Sequence, residues 1–162
     1  IERRDGPSAL CLSRQNLPAL PRPPEQVADI RRGGYVLREA ADGDARLVLL
    51  ATGSEVSLVL EAQAVLSQQG IPVRVVAMPC SARFDRQLPA YRRQVLPLAT
   101  PILAVEAGHP DLWWKYVGTA GAVIGIDRFG ESAPATDLYQ FFGITVDAIV
   151  ARARSLSGRA PG

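Results

Sequence analysis

Two short apolar runs on either side of one small helical segment constrain the fold of this chain most strongly. The runs cover residues 101–105 and 122–126, and each has the length and composition of a buried strand. Residues 111–117 lie between them and carry both tryptophans, a tyrosine and the only lysine. A strand, a short helix and a second strand form a right-handed crossover unit, so this stretch predicts a parallel α/β sheet.

Further strand and helix patterns precede and follow this unit. Strands are predicted at residues 35–38, 46–51 and 72–78, and helices at residues 55–69, 82–96, 136–142 and 145–156. Ser54 and Thr145 are the predicted N-caps, and Gly70 is a predicted C-terminal cap. Residues 35–38 precede a tight turn, which predicts that they run antiparallel to their neighbour. The fold class is therefore α/β, a three-layer α/β/α sandwich with a mostly parallel, mixed, five-stranded sheet.

The amino-terminal part is organised differently. Residues 8–13 are predicted to form a buried strand, and residues 17–24 contain four prolines, which predicts an extended linker. A domain that opens on an isolated core strand is unusual, so we expect the true start to lie upstream. The predicted organisation is a strand and linker in residues 1–24, a domain over residues 33–157 and a frayed tail at residues 158–162.

Composition excludes several classes of function. The net charge is +2, from 18 basic and 16 acidic residues, with no basic stripe interleaved with aromatics, so we expect no nucleic-acid partner. No apolar run approaches the ~18–20 residues of a membrane span, and no export signal is visible, which predicts a cytoplasmic protein without a membrane partner. Cys11 and Cys80 are expected to be reduced and buried.

Four groups of residues could carry chemistry, and each has a simpler structural explanation. Residues 52–55 join a strand to a helix and could hold an anion, or could only cap the helix. His109 with Glu106 and Asp111 could bind a metal or exchange protons, or could form a turn. The remaining two groups are an aromatic cluster (Trp113, Trp114 and Tyr116) and a single arginine, Arg14.

The aromatic cluster could stack a ligand, but such clusters more often pack a helix onto a sheet or fill an interface. Arg14 follows the predicted strand at residues 8–13 and is flanked by Ser13, Gln15 and Asn16. A guanidinium at the carboxyl edge of a sheet can clamp a phosphate through two parallel hydrogen bonds. A solvated arginine at a strand end is the alternative, and residue types alone do not separate the two.

Several stretches, in order, resemble the C-terminal end of a transketolase. They are residues 6–10 (GPSAL), 13–18 (SRQNLP), 33–37 (GGYVL), 51–56 (ATGSEV), 73–80 with Phe84 and Asp85, 105–108 (VEAG), 114–118 (WKYVG) and 129–134 (FGESAP). Each stretch is weak alone, whereas their combined order and spacing are specific.

The resemblance implies a function for the whole enzyme. Transketolases transfer a two-carbon ketol unit from a ketose phosphate to an aldose phosphate in the pentose phosphate pathway, using thiamine diphosphate and a divalent metal, magnesium or calcium. They are homodimers with three α/β domains. By this resemblance residues 8–13 are the last strand of the preceding pyrimidine-binding domain, residues 33–157 are the C-terminal domain, and Arg14 contacts the sugar phosphate.

The same resemblance indicates what the chain lacks. The family's metal–diphosphate motif requires Gly-Asp-Gly followed by paired asparagines, and Asn16 is the only asparagine here. The several histidines of the family's active site cannot be present, because His109 is the only histidine. We therefore expect no catalytic, cofactor-binding or metal-binding residues in this chain, and a role in assembly or regulation. The alternatives are the corresponding domain of a related thiamine enzyme such as dihydroxyacetone synthase, or a non-enzymatic anion-binding module.

Overall fold

The computed structural model describes residue 4 and residues 6–41 and 44–158, and its centre is one five-stranded sheet. The strands are β1 (Tyr35–Arg38), β2 (Leu47–Ala51), β3 (Val73–Ala77), β4 (Ile102–Val105) and β5 (Ala122–Ile124). Their order across the sheet is β1-β3-β2-β4-β5. All neighbours are parallel except β1, which pairs antiparallel with β3. The predicted five-stranded mixed sheet is confirmed.

Seven helices are seen in the described part of the chain. They are α1 (Pro24–Ile30), α2 (Glu55–Gln68), α3 (Ser81–Asp85), α4 (Pro89–Val95), α5 (Asp111–Val117), α6 (Ala135–Phe142) and α7 (Val146–Ser157). Residues of α2 and α7 pack with one face of the sheet, and residues of α3, α4 and α5 pack with the other. The three-layer sandwich is therefore confirmed.

Successive side chains of the central strands point to opposite faces of the sheet and so contribute to two hydrophobic cores, one on each face. Leu47 and Leu49 of β2 contribute to the core beneath α2 and α7, whereas Val48 and Leu50 contribute to the core beneath α3, α4 and α5. All five residues of β2 are buried, as expected for a strand with a helical layer on each side. A strand that is covered on both faces needs apolar side chains at nearly every position, which the sequence of β2 supplies.

One glycine marks a close backbone crossing at the start of β5. A β-carbon at Gly121 would overlap the carbonyl oxygen of Ile102 and lie 2.6 Å from Cγ1 of Val117. Any larger side chain would force α5 and the sheet apart. The backbone of this crossover unit therefore comes close to β4 at Gly121.

The predicted helix ends have mixed outcomes. The hydroxyl of Thr145 accepts a hydrogen bond from the Ala148 amide at 3.2 Å, so this N-cap is confirmed. Gly70 has a φ of +71° and follows α2, and the Ile71 amide donates to the Leu66 carbonyl, which is the expected C-terminal cap. The side chain of Ser54 makes no capping bond, so that part of the prediction is wrong.

Prolines explain two further differences from the predicted helices. The helix predicted at residues 82–96 is two helices, and Pro89 is the first residue of the second. Its missing amide and fixed φ suit the first helical turn but not a helix interior. Pro24 likewise opens α1, a helix absent from the sequence prediction, at the end of the proline-rich stretch.

The predicted strand at residues 8–13 is absent. The segment has no strand assignment, and Leu10 and Leu12 are 85% and 84% exposed. A strand needs a hydrogen-bonding neighbour, and the described residues offer none to this segment. Cys11 lies on it and is exposed, as is Cys80, so the expectation of two buried thiols is also wrong.

The tight turn predicted after residues 35–38 covers residues 41–44 and lies partly outside the described residues, as does the predicted tail at residues 158–162. The sequence Asp-Gly-Pro at residues 5–7 also predicts a turn, and residue 5 lies outside the described residues. In the part of the chain that the structure describes, no helix has the length and hydropathy needed to cross a bilayer.

Candidate functional site

The sheet reverses its direction of growth between β2 and β4. The chain passes from β2 to β3 on one side, and then crosses over β2 to place β4 on its other side. The connections after β2 and β4 therefore lead to opposite faces of the sheet and leave a crevice between them, which is where α/β proteins usually bind ligands. Glu55 lies just beyond β2 and Glu106 lies directly after β4.

Glu55 gives the start of α2 a negative charge. The side chain is only 3% exposed, and its Oε1 accepts hydrogen bonds from the hydroxyls of Ser54 at 2.9 Å and Tyr139 at 2.5 Å. A buried carboxylate already occupies the positive end of this helix dipole. The negative charge of Glu55 would repel an anion at the start of α2, which argues against the anion-binding interpretation of residues 52–55.

Glu106 has an altered acidity. Burial raises the pKa of its carboxyl from 4.5 to about 7, and the negative charge of Glu55 adds to the rise. The side chain lines a cavity of about 420 Å³ together with Thr52, Cys80 and His109. Glu106 therefore carries less negative charge at neutral pH than a free carboxylate would.

The predicted group of Glu106, His109 and Asp111 is only partly assembled. Nδ1 of His109 lies 3.4 Å from Oδ2 of Asp111, but both side chains are mostly exposed. Glu106 shares the cavity with His109 without a hydrogen bond to it among the described contacts. The pair is consistent with the turn interpretation and does not form an acid–base dyad with Glu106.

The aromatic cluster is divided between core and surface. Trp113 is 2% exposed, and its ring lies 6.1 Å from that of Tyr116, so the packing interpretation is confirmed for Trp113. Trp114 is 46% exposed. The hydroxyl of Tyr116 and Nζ of Lys115 each donate to the Asp85 carboxylate at 2.7 Å, which ties α5 to α3.

Arg14 lies on the surface, next to Gln15, which is hydrogen-bonded to the domain. Arg14 is exposed and forms no hydrogen bond or ion pair with the described residues. Its neighbour Gln15 is half-buried and donates from Nε2 to the hydroxyl of Tyr139 at 3.2 Å. The segment containing Arg14 is thus attached to the carboxyl edge of the domain's own sheet rather than to a preceding strand.

The donor set does not fit a metal–diphosphate site. Within residues 4, 6–41 and 44–158, no three His, Cys, Asp or Glu side chains converge as metal ligands. Only one asparagine and one histidine occur in the whole sequence. The residues present therefore do not match a thiamine diphosphate–metal centre.

The fold and the site together define an α/β/α sandwich domain with an attached amino-terminal arm, residues 6–23, on which Arg14 is exposed. Residues 33–145 match the family model described as "Transketolase-like TK C-terminal domain". The chain belongs to this family.

Full-length relatives and solved structures agree with this assignment. Transketolase 1 of Vibrio vulnificus is 54% identical over 157 residues, covering 96% of this chain and 24% of the relative. A Leishmania mexicana transketolase structure matches with a TM-score of 0.76 and 43% identity, over 84% of this chain and 19% of that one. A Pichia stipitis transketolase in complex with a seven-carbon sugar phosphate, sedoheptulose 7-phosphate, matches with a TM-score of 0.73 and 36% identity, over 81% and 19%. The chain therefore spans about a quarter of the length of the curated relatives that it matches.

Sequence reasoning missed the contact between Gln15 and Tyr139. These residues are 124 positions apart, and a hydrogen bond between distant polar residues leaves no periodic signal. A partial signal did exist, because Gln15, Ser54 and Glu55 lie in two of the stretches that carry the resemblance. The structure brings these stretches to one cavity.

Proposed function

We propose that this chain is the C-terminal part of a transketolase that transfers a two-carbon ketol unit from a ketose phosphate to an aldose phosphate in the pentose phosphate pathway. The observation that carries the proposal is 54% identity to a transketolase over 96% of the chain. The enzyme would be a cytoplasmic homodimer. Other parts of it would hold thiamine diphosphate with magnesium or calcium, because the donor set described above does not.

Within that enzyme, the domain built around residues 33–157 would serve assembly or regulation and carry no reacting group. Residues 1–24 would be the remnant of the pyrimidine-binding domain with its proline-rich linker, and residues 158–162 a frayed tail. The exposed Leu10 and Leu12 support this division, since apolar side chains at these positions would gain from burial against another domain.

Arg14 would bind the substrate phosphate. It is exposed, without a partner among the described residues, and sits on a segment that the domain anchors through Gln15. A guanidinium donates two parallel hydrogen bonds to a phosphate and keeps its charge at any physiological pH. These properties suit recognition of the phosphate group that both ketose and aldose substrates would share.

The test is Arg14→Ala in the full-length enzyme. Loss of a charge-assisted clamp costs ~2–4 kcal/mol, so we expect the KM for phosphorylated sugars to rise by at least about thirtyfold. Arg152→Ala is the matched control, because Arg152 is an exposed arginine on α7. Equal kinetics for the two variants would remove the phosphate-binding role from Arg14.

A further inference from the structure

Three separated segments meet at one cavity of about 260 Å³. Gln15 comes from the arm, Ser54 and Glu55 from the start of α2, and Tyr139 from α6. The cavity lies at the carboxyl edge of the sheet, since Glu55 lies just beyond β2 and Ala107, which also lines it, follows β4. The arm therefore crosses the crevice at which the sheet reverses direction.

A chain of hydrogen bonds runs through this cavity from the domain interior to the arm. Ser54 Oγ and the Tyr139 hydroxyl both donate to Oε1 of Glu55, at 2.9 Å and 2.5 Å. Nε2 of Gln15 then donates to the Tyr139 oxygen at 3.2 Å. An ionised carboxylate can only accept, so both hydroxyls donate to Glu55, and the oxygen of Tyr139 is left to accept from the Gln15 amide.

The buried carboxylate of Glu55 determines which group donates in each of these hydrogen bonds. Glu55 is 3% exposed and accepts two hydroxyl protons, which orients the Tyr139 O–H bond inward. Burial, followed by the bond to Glu55, raises the pKa of the Tyr139 hydroxyl, so it remains protonated across the physiological range. The lone pairs of its oxygen are left to accept from Gln15, which is adjacent to Arg14 in the chain.

We propose that Tyr139 and Glu55 are positioning residues that hold Gln15 and thereby direct the neighbouring Arg14 guanidinium toward the substrate phosphate. This inference rests on the phosphate role proposed above for Arg14. Fixing one residue restricts the backbone of the next, whose Cα lies only ~3.8 Å away. Binding to a preorganised guanidinium avoids part of the entropy cost of ordering a long, exposed side chain. The C-terminal domain would thus tune substrate affinity without touching the substrate.

Kinetics of the full-length enzyme with Tyr139→Phe test the proposal. The variant keeps the ring and removes only the hydroxyl that links Glu55 to Gln15. We expect the KM for a phosphorylated aldose acceptor to rise about five- to tenfold, with kcat within twofold of the parent. The KM for the same aldose without its phosphate should not change, because the proposed link acts through Arg14 alone.

Tyr91→Phe is the matched control. The hydroxyl of Tyr91 also makes one half-buried hydrogen bond, to the Gly34 carbonyl at 3.0 Å, but the ring packs with the core on the opposite face of the sheet. Both variants remove one phenolic hydroxyl, and only Tyr139→Phe should discriminate between the two acceptors. Equal acceptor profiles for the two variants, or an equal KM rise on both acceptors for Tyr139→Phe, would overturn the proposal.

A double-mutant cycle with Gln15→Ala separates a positioning role from simple attachment of the arm. If both residues act through one hydrogen bond, the double variant should have no higher KM for the phosphorylated acceptor than the worse single variant. If the KM increase of the double variant equals the product of the two single increases, the two residues act independently, which would contradict the proposed hydrogen-bond link. If Arg14→Ala changes the KM and Tyr139→Phe does not, the positioning role alone fails; if Arg14→Ala has no effect, the phosphate proposal fails with it.

Discussion

Two apolar runs of similar length, residues 8–13 and strand β2, have opposite environments in this molecule. All five residues of β2 are buried between β3 and β4, whereas Leu10 and Leu12 of the first run are mostly exposed. Hydrophobic composition is thus insufficient for burial; a strand also needs hydrogen-bonding neighbours and covering layers. From this comparison we expect substitutions in the core of the domain to lower the stability of the isolated chain. Substitutions in residues 8–13 should affect stability only in the proposed full-length enzyme.

The largest expected difference is between Leu49→Ala and Leu12→Ala. Leu49 is fully buried in the core beneath α2 and α7, so its truncation should lower the free energy of unfolding of the 162-residue chain by about 3–4 kcal/mol. Leu12 is 84% exposed, and its truncation should change that free energy by less than about 0.5 kcal/mol. Urea unfolding of both variants measures the two effects, and a large loss for Leu12→Ala would show that residues 8–13 are packed against the domain.

A smaller, pH-dependent effect is expected from Glu106→Gln. The pKa of Glu106 is raised from 4.5 to about 7 in the folded state, so the folded state binds more protons than the unfolded state between these values. The contribution of Glu106 to stability therefore falls as pH rises from about 4.5 to 7. After allowance for solvent screening of this partly exposed group, the amide variant should be more stable by about 1–2 kcal/mol at pH 8.

At pH 4.5 the same variant and the parent should unfold at nearly equal urea concentrations. Glu61→Gln is the matched control, because Glu61 is an exposed glutamate on α2. It makes the same change in formal charge without relieving a buried carboxylate. A Glu106→Gln variant that is no more stable than the parent at pH 8 would argue against a pKa of Glu106 raised by burial and by the charge of Glu55.

The smallest expected effect concerns a single helix cap within the domain. Thr145→Ala removes the side-chain acceptor of the Ala148 amide and should cost about 1 kcal/mol in the isolated chain. Thr136→Ala provides the comparison, since Thr136 is exposed within α6 and makes no such bond among the described contacts. Equal thermal midpoints for the two variants would show that the cap contributes nothing measurable.

Periodicity and turn chemistry predicted most of the domain because they act locally. Thr145 and Gly70 each mark a helix end through a local hydrogen bond or backbone conformation that depends on few neighbours. The burial of residues 8–13 and of both thiols was predicted wrongly for the opposite reason. Burial is a property of what surrounds a segment, and the described residues supply nothing that covers this one.

For the candidate site, too, local features could be predicted from the sequence, whereas contacts between distant residues could not. The position of Glu106 after β4 could be predicted from the chain, but its pKa depends on burial and on Glu55, which is brought near by the pairing of β2 with β4. The contact of Gln15 with Tyr139 joins the two ends of the sequence. Neither relation leaves a pattern within a window of neighbouring residues.

We propose that this chain supplies shape and one phosphate-binding arginine, and that cofactor chemistry would belong to other parts of a transketolase. Isothermal titration of the 162-residue chain with thiamine diphosphate and magnesium tests it most directly. We expect no binding heat above that of dilution. Saturable binding with micromolar affinity would contradict it.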